Sequence, residues 1–272
     1  MSSGGARWVL RFYVVVALLF VFAPAISLTF FSFQEAKVQS FPIKDYTWRW
    51  YEDALTNEDI KEGLRNSLMV GTMVAVLSTF LGFTSAHVLS RERINKKALY
   101  AGLVSLPVLV PAILSGLGMM IYFQHINIAG TIWAVVIAHT CFASPFALAI
   151  LLNPYQRLNI ELEQAARDLG ANRLRVVTRI VLPQLWPAIV SAGLLSFLLS
   201  WDEFILAWFV SGFNKTLPVV IYGMMGSSFN PSLNAVGVMS MAVSVILLLM
   251  VFVFRNLGVS RGSVSKPEWE RT

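Results

Sequence analysis

Six runs of predominantly apolar residues, 8–33, 64–90, 98–123, 130–152, 186–211 and 233–257, alternate with polar intervals along the 272-residue chain. Each is at least as long as the roughly 20 residues a helix needs to cross the hydrocarbon core of a bilayer. The pattern predicts an all-α membrane protein with six transmembrane helices, a cytoplasmic loop over 153–185 and a tail over 258–272. No polar interval is long enough for a second domain, so residues 1–272 are read as a single transmembrane domain.

The interval before the fifth run has a pattern of its own. "EQAARDLGANRLRVVTRIVLPQLWP", Glu163 to Pro187, is polar and studded with arginine. In and just ahead of it Leu158, Leu162, Ala165, Ala166 and Leu169 recur at helical spacing and form one apolar stripe. Asn159 is expected to cap the start of this helix, with Glu161 and Glu163 at the positive end of its dipole. Gly170 can take the left-handed conformation that ends it. Asn172 would cap a second short helix bearing Leu174, Val177 and Val181, with Arg173, Arg175 and Arg179 on the other face. Pro183 is expected to stop that helix and Pro187 to sit near the first turn of the fifth span. The result would be a compact knuckle, where the small Ala165 and Ala166 let a partner surface approach closely.

Composition agrees with the pattern. A chain that is 56% hydrophobic and 13% charged, with a mean hydropathy of +0.66, carries too much hydrocarbon for one aqueous core. The net charge of +6 is a matter of topology rather than of nucleic-acid binding. Arg7, Arg11, Arg91, Arg93, Lys96, Lys97, Arg157, Arg167, Arg173, Arg175, Arg179, Arg255, Arg261, Lys266 and Arg271 fall on one side of the predicted spans. Only Lys37, Lys44, Arg49, Lys61, Arg65 and Lys215 fall on the other. Both termini and the knuckle are therefore expected in the cytoplasm. Ala23-Pro24-Ala25 mimics a signal-cleavage site, but the first run continues to Phe33, too far for a signal core; an uncleaved anchor is expected. Trp48, Trp50 and Tyr51, interleaved with charges, predict a short helix at headgroup level that braces the external side. Cys141 is the only cysteine, and His87, His125 and His139 lack ligand spacing, so neither disulfides nor a metal site is expected.

Candidate chemistry lies within the spans. Asp202 and Glu203 are costly at bilayer depth and should face a cavity or a partner. A carboxylate there can neutralise an amine and accept its hydrogen bonds, which suits a cationic substrate. Alternatively, the acid bonds neighbouring helices or a partner subunit, the reading preferred for Glu203. Pro107 and Pro111, followed by Ser115, Gly116 and Gly118, either shape a translocation cavity or only kink the third span. His139 with Pro145 poses the same pair of alternatives. Trp201 and Phe204 read as packing residues whose ring faces can also hold amines. "SGFNKT" ends like a phosphate loop, but Asn214 stands where glycine should precede the lysine, so backbone amides cannot cradle phosphates there.

The pattern Gln164-Ala165-Ala166, three residues, Gly170, nine residues, Ile180-Val181-Leu182-Pro183 resembles the EAA loop. That motif marks the permease subunits of binding-protein-dependent ATP-binding-cassette (ABC) importers. The family's leading glutamate is Gln164 here, which keeps hydrogen-bonding capacity and loses charge. "RNSLMVGTMVAVLSTFLGFTSAHVLSR" looks like the family's second core helix, with Gly82 and Ala86 permitting close packing. "SWDEFILAWFVSG" followed by "TLPVVIYGMM" is similar to the spermidine/putrescine branch. The resemblance implies a type I importer (MetI-like) permease fold in a bacterial inner membrane. It implies a polyamine or similar amine as substrate, the alternatives being amino-acid derivatives, opines, phosphonates or ferric iron. The implied partners are a second, different permease, two ATPases that hold ATP and Mg, and an extracytoplasmic solute-binding protein. This chain would bind no cofactor and catalyse no reaction. Glu163, Gln164, Ala165, Ala166, Asp168, Gly170, Ala171, Arg173, Ile180, Leu182 and Pro183 would form the ATPase-coupling loop. Asp202, Trp201, Glu203, Pro111, Ser115 and His139 are candidates for the substrate path. Two other readings are less favoured. An intramembrane hydrolase built on Ser115 with His87 or His139 leaves the loop unexplained. A secondary transporter would call for inverted repeats of broken helices, and no internal repeat is evident.

Overall fold

The computed structural model describes residues 3–38, 40–93, 95–227 and 231–261; most of the predicted tail, 262–272, lies outside them. The regular elements among the described residues are helices, apart from a single antiparallel bridge between Gln34 and Tyr46. In chain order the helices are α1 (Ser3–Ser32), α2 (Arg49–Thr56), α3 (Glu58–Arg91), α4 (Lys97–Leu109), α5 (Ala112–His125), α6 (Ile132–Gln156), α7 (Ile160–Asp168) and α8 (Arg173–Val176). A π-helical turn (Val177–Val181) leads into α9 (Leu182–Asp202), followed by α10 (Ile205–Val210), α11 (Leu217–Ser227) and α12 (Ser232–Arg261). Among the described residues five helices are long and apolar enough to cross a membrane: Arg7–Ser32, Glu58–Arg91, Ile132–Gln156, Arg173–Asp202 and Ser232–Asn256.

Two predicted spans differ from expectation. The third, 98–123, is broken into α4 and α5, which meet at 94°. The break falls at Val110, held extended (φ −84°, ψ 129°) by the proline that follows it. Pro107, by contrast, lies inside α4, close to its end, without interrupting it. The fifth span, 186–211, is displaced toward the amino terminus: the apolar helix runs through the π turn to Asp202 and breaks at Glu203 before the short α10. Pro183 does not stop the preceding helix. It is the second residue of α9, immediately after the π turn, where the Leu182 N–H donates to Val177 O, five residues back. The wider turn moves aside the carbonyl that a proline ring would strike in a regular helix.

The chain divides into two compact units, Met1–Lys61 with Ile221–Val243, and Glu62–Val220 with Ser244–Thr272. In the first, α1 leads into an aromatic cluster of Phe33, Trp48 and Tyr51. The hydroxyls of Ser32 and Tyr51 share a 2.7 Å hydrogen bond, and Trp50 Nε1 donates to Gln34 O at 2.7 Å. The predicted brace helix is thus present as α2, tied to the end of α1. In the second unit α6 is the central helix; Val135, Val136, Ala138, Ala143, Ala147 and Leu151 are inaccessible to solvent. Close approach explains several small residues. A Cβ on Gly82 would lie 2.8 Å from the backbone of Ala147 and Leu148, and Ala86 is fully buried. Gly130 and Gly212, both at positive φ, bring their backbones together; Gly130 N donates to Val210 O, and Asn214 Nδ2 donates to Gly130 O at 2.7 Å. The "SGFNKT" segment is accordingly a pinned turn: Asn66 Nδ2 donates to Lys215 O, and Leu217 N to Ser67 Oγ.

Candidate functional site

The knuckle forms as its capping residues dictate. Asn159 Oδ1 accepts from Glu161 N at 2.9 Å and opens α7; Asn172 Oδ1 accepts from Arg175 N at 2.8 Å and opens α8. Between them Gly170 adopts φ +84°. Gly170 N donates to Arg167 O and Ala171 N to Ala166 O, the two bonds of a Schellman end. The first helix therefore stops on schedule and the chain reverses into the second.

The expected apolar stripe divides in two. Leu158, Ala166, Ala171 and Ile180 pack on a core formed by Leu89, Leu151, Tyr155, Val176, Val181 and Leu185. Leu162, Ala165 and Leu169 lie three and four residues apart on the opposite side, and Leu169 is 90% exposed. Leu174, expected beside Val177 and Val181, is exposed as well, while Val176 takes the buried position. The π turn shifts the phase of the helix there by more than a regular turn does. Gln164, Asp168, Arg173 and Pro183 are exposed, and Leu182 is half-buried. The outer side of the knuckle is thus an apolar strip, Leu162, Ala165, Leu169 and Leu174, edged by Gln164, Asp168 and arginines.

Glu163 points the other way. It is 3% exposed and forms an ion pair with Arg91 at the end of α3. Arg91 Nε and Nη2 lie 2.8 and 2.7 Å from the same oxygen, Oε1. Nη2 also donates to Leu158 O at 3.2 Å, and the guanidinium sits 5.2 Å from the centroid of the Tyr155 ring. The Tyr155 hydroxyl is hydrogen-bonded to His87 Nδ1. Sequence reasoning used Arg91 only as a topology signal; its partner is 72 residues away, and no local spacing announces the pair.

The acids of the fifth span separate. Asp202 ends α9, is exposed, and accepts hydrogen bonds from Ser244 Oγ at 3.0 and 3.3 Å. Glu203 Oε1 accepts from Leu206 N at 2.9 Å and so caps α10, a structural task. Trp201 is 1% exposed and stacks on Phe197, while His139 is wholly buried with Nδ1 2.9 Å from Ser200 Oγ, joining α6 to α9. Both are packed between helices of the core. Ser115, with Pro107, Val110, Ala112, Met119, Ala138, Phe142 and Leu206, lines a small pocket at the α4–α5 break, and Pro111 sits at the break itself, exposed. Of the path candidates, Ser115 is the one that lines this pocket.

Similarity to known proteins runs through the same regions. The family described as binding-protein-dependent transport system inner membrane component matches residues 78–258. The spermidine/putrescine transport system permease protein PotC of Haemophilus influenzae is 28% identical over 239 residues, 88% of this chain and 92% of that one. The putrescine transport system permease protein PotI of Escherichia coli K12 is 30% identical over 236 residues, covering 82% and 83%. Among solved structures, a bacterial ABC transporter involved in the import of the acidic polysaccharide alginate shares the fold. Its TM-score is 0.72 at 19% identity, over 92% of this chain and 97% of the other. The matched stretch takes in α6, the knuckle that carries the outward apolar strip, the π turn, α9 and the greater part of α12. The chain therefore belongs to the inner-membrane components of binding-protein-dependent transport systems, the permease subunits of ABC importers.

Proposed function

We propose that this permease subunit imports a polyamine or similar small cationic amine, in a pair with a second, different permease. A solute-binding protein delivers the substrate, and two ATPases on the cytoplasmic face hold the ATP and Mg. The two packed units serve one permease domain, and both termini lie in the cytoplasm. The substrate class rests on the names of PotC and PotI and on the accessible Asp202 carboxylate where α9 breaks. A carboxylate beside the free carbonyls of a helix C-terminus favours a cation.

The single observation carrying the coupling role is the outward apolar strip on a knuckle whose opposite side is bonded into the helix core. Leu162, Ala165, Leu169 and Leu174 are exposed among the described residues, and a groove on an ATPase would cover them. Nucleotide-driven closure would move the knuckle, and the π turn with Pro183 would pass the motion into α9, biasing the permease pair between inward and outward openings. Two variants test this. Ala165→Asp places a charge in the strip, and Gly170→Pro removes the N–H that closes α7 and forbids its positive φ. Both should insert in the membrane normally, lose the co-purifying ATPase, and lose uptake of labelled putrescine and spermidine. Retained uptake in either would refute the assignment.

A further inference from the structure

Among the described residues, Arg91–Glu163 is the ion pair largely withdrawn from solvent, its side chains 10% and 4% exposed; the other pairs are exposed. Burial of two charges is not explained by stability, since apolar side chains of similar volume would hold two elements together at least as well. What a forked guanidinium adds is direction: two N–H groups converge on one carboxylate oxygen, and the ring of Tyr155 restrains the plane. That single side chain joins four parts of the structure. Arg91 is the last residue of α3, Tyr155 lies in the last turn of α6, Leu158 lies in the connection, and Glu163 is in the first turn of α7.

The mechanical consequence follows from what else holds α7. The chain continues from its C-terminal end through Gly170 into α8, the π turn and α9, so one route into the membrane passes along the backbone. Two further routes run sideways: the non-directional packing of Ala166 and Ala171 on the core that holds Leu89, Leu151 and Tyr155, and the directional, buried pair. We propose that Arg91 and Glu163 are positioning residues for coupling: they tether the inner face of α7 to the ends of α3 and α6. Displacement of the knuckle is then carried into the second and fourth spans as well as into α9. This inference rests on the reading that the knuckle docks on an ATPase.

The test uses the whole transporter in proteoliposomes: this chain, its partner permease, the ATPases and the solute-binding protein. Three quantities are measured: ATPase recovered per permease, phosphate released, and labelled spermidine imported. Glu163→Ala and Arg91→Ala each leave a buried charge unpaired and are expected to reduce the amount of complex. The informative variant is the paired replacement Arg91→Met with Glu163→Leu, which leaves no buried charge. It should assemble with ATPase in wild-type proportion, yet import about ten-fold less spermidine per phosphate released, within the range of coupling effects between sites. A merely structural pair would change the amount of complex and leave that ratio intact. A ratio within about two-fold of wild type in the assembled paired variant would overturn the tether. Should the paired variant not assemble, Glu163→Gln, which keeps an acceptor for Arg91 and loses the charge, is judged by the same ratio. Failure of ATPase to accompany the wild-type permease would instead defeat the docking reading.

Discussion

Asp202 is where a single side chain separates two accounts of the fifth span. Its neighbour Glu203 is committed to the Leu206 amide, whereas Asp202 is exposed and bonded only through Ser244 among the contacts described above. Asp202→Asn preserves an acceptor for the Ser244 hydroxyl and removes the charge; Ser244→Ala preserves the charge and removes that bond. A hydrogen bond to a charged group contributes about 1.5–3 kcal/mol, so a substrate role predicts at least a ten-fold rise in KM for spermidine in Asp202→Asn and little change in Ser244→Ala. Unchanged uptake of spermidine and putrescine in Asp202→Asn would remove this carboxylate from the path. A structural role was already the preferred reading for Glu203, but the helix end between the two acids was not legible, because no glycine or proline marks the place.

At the level of helices, legibility followed the range of the interactions. Caps depend on neighbours within a few residues, so Asn159, Gly170 and Asn172 were readable and perform as expected. Close packing of α3 on α6 was readable from Gly82 and Ala86. The π turn was not, because it depends on how the chain accommodates Pro183 while remaining helical, and it moved Leu174 from the buried side to the exposed one. The two prolines of the third span likewise looked equivalent, but only Pro111 marks the 94° bend. The packing prediction has a clean comparison. Gly82→Ala places a methyl 2.8 Å from helix backbone that cannot give way, and should cost about 1–3 kcal/mol. Gly102→Ala in α4 meets nothing within 4 Å and should be neutral or gain about 0.5–1 kcal/mol from helix propensity. Thermal unfolding of the detergent-solubilised protein should show a lower Tm for the first only; equal Tm values would mean that α3 and α6 are not packed at Gly82.

For the whole molecule the decisive quantity is sidedness. The uneven distribution of Lys and Arg predicts a cytoplasmic knuckle and an external Asn214 turn, and Cys141 is the only thiol to remove before testing it. In a Cys141→Ser background, Asn214→Cys should react with a membrane-impermeant maleimide in intact spheroplasts. Gln164→Cys should react only after permeabilisation. The reverse pattern would invert the topology and with it the coupling role. Hydropathy alone was enough to find most of the apolar helices, since a bilayer imposes length and composition on each segment separately. The Arg91–Glu163 tether escaped it because a pair 72 residues apart exists only once α3, α6 and α7 have been assembled.

The π turn has one more implication. A five-residue turn in a helix amounts to a surplus residue absorbed without a break, and each residue of an α-helix advances the winding by about 100°. Wound as regular α-helix with the same number of residues, the segment would swing everything upstream round the axis of α9 by roughly that angle, and the outward leucines would look elsewhere. Deleting one position between Val177 and Val181 would instead remove the surplus and leave their bearing nearly unchanged. The direction in which the strip faces is thus set by an insertion-like irregularity in the helix as much as by the leucines themselves.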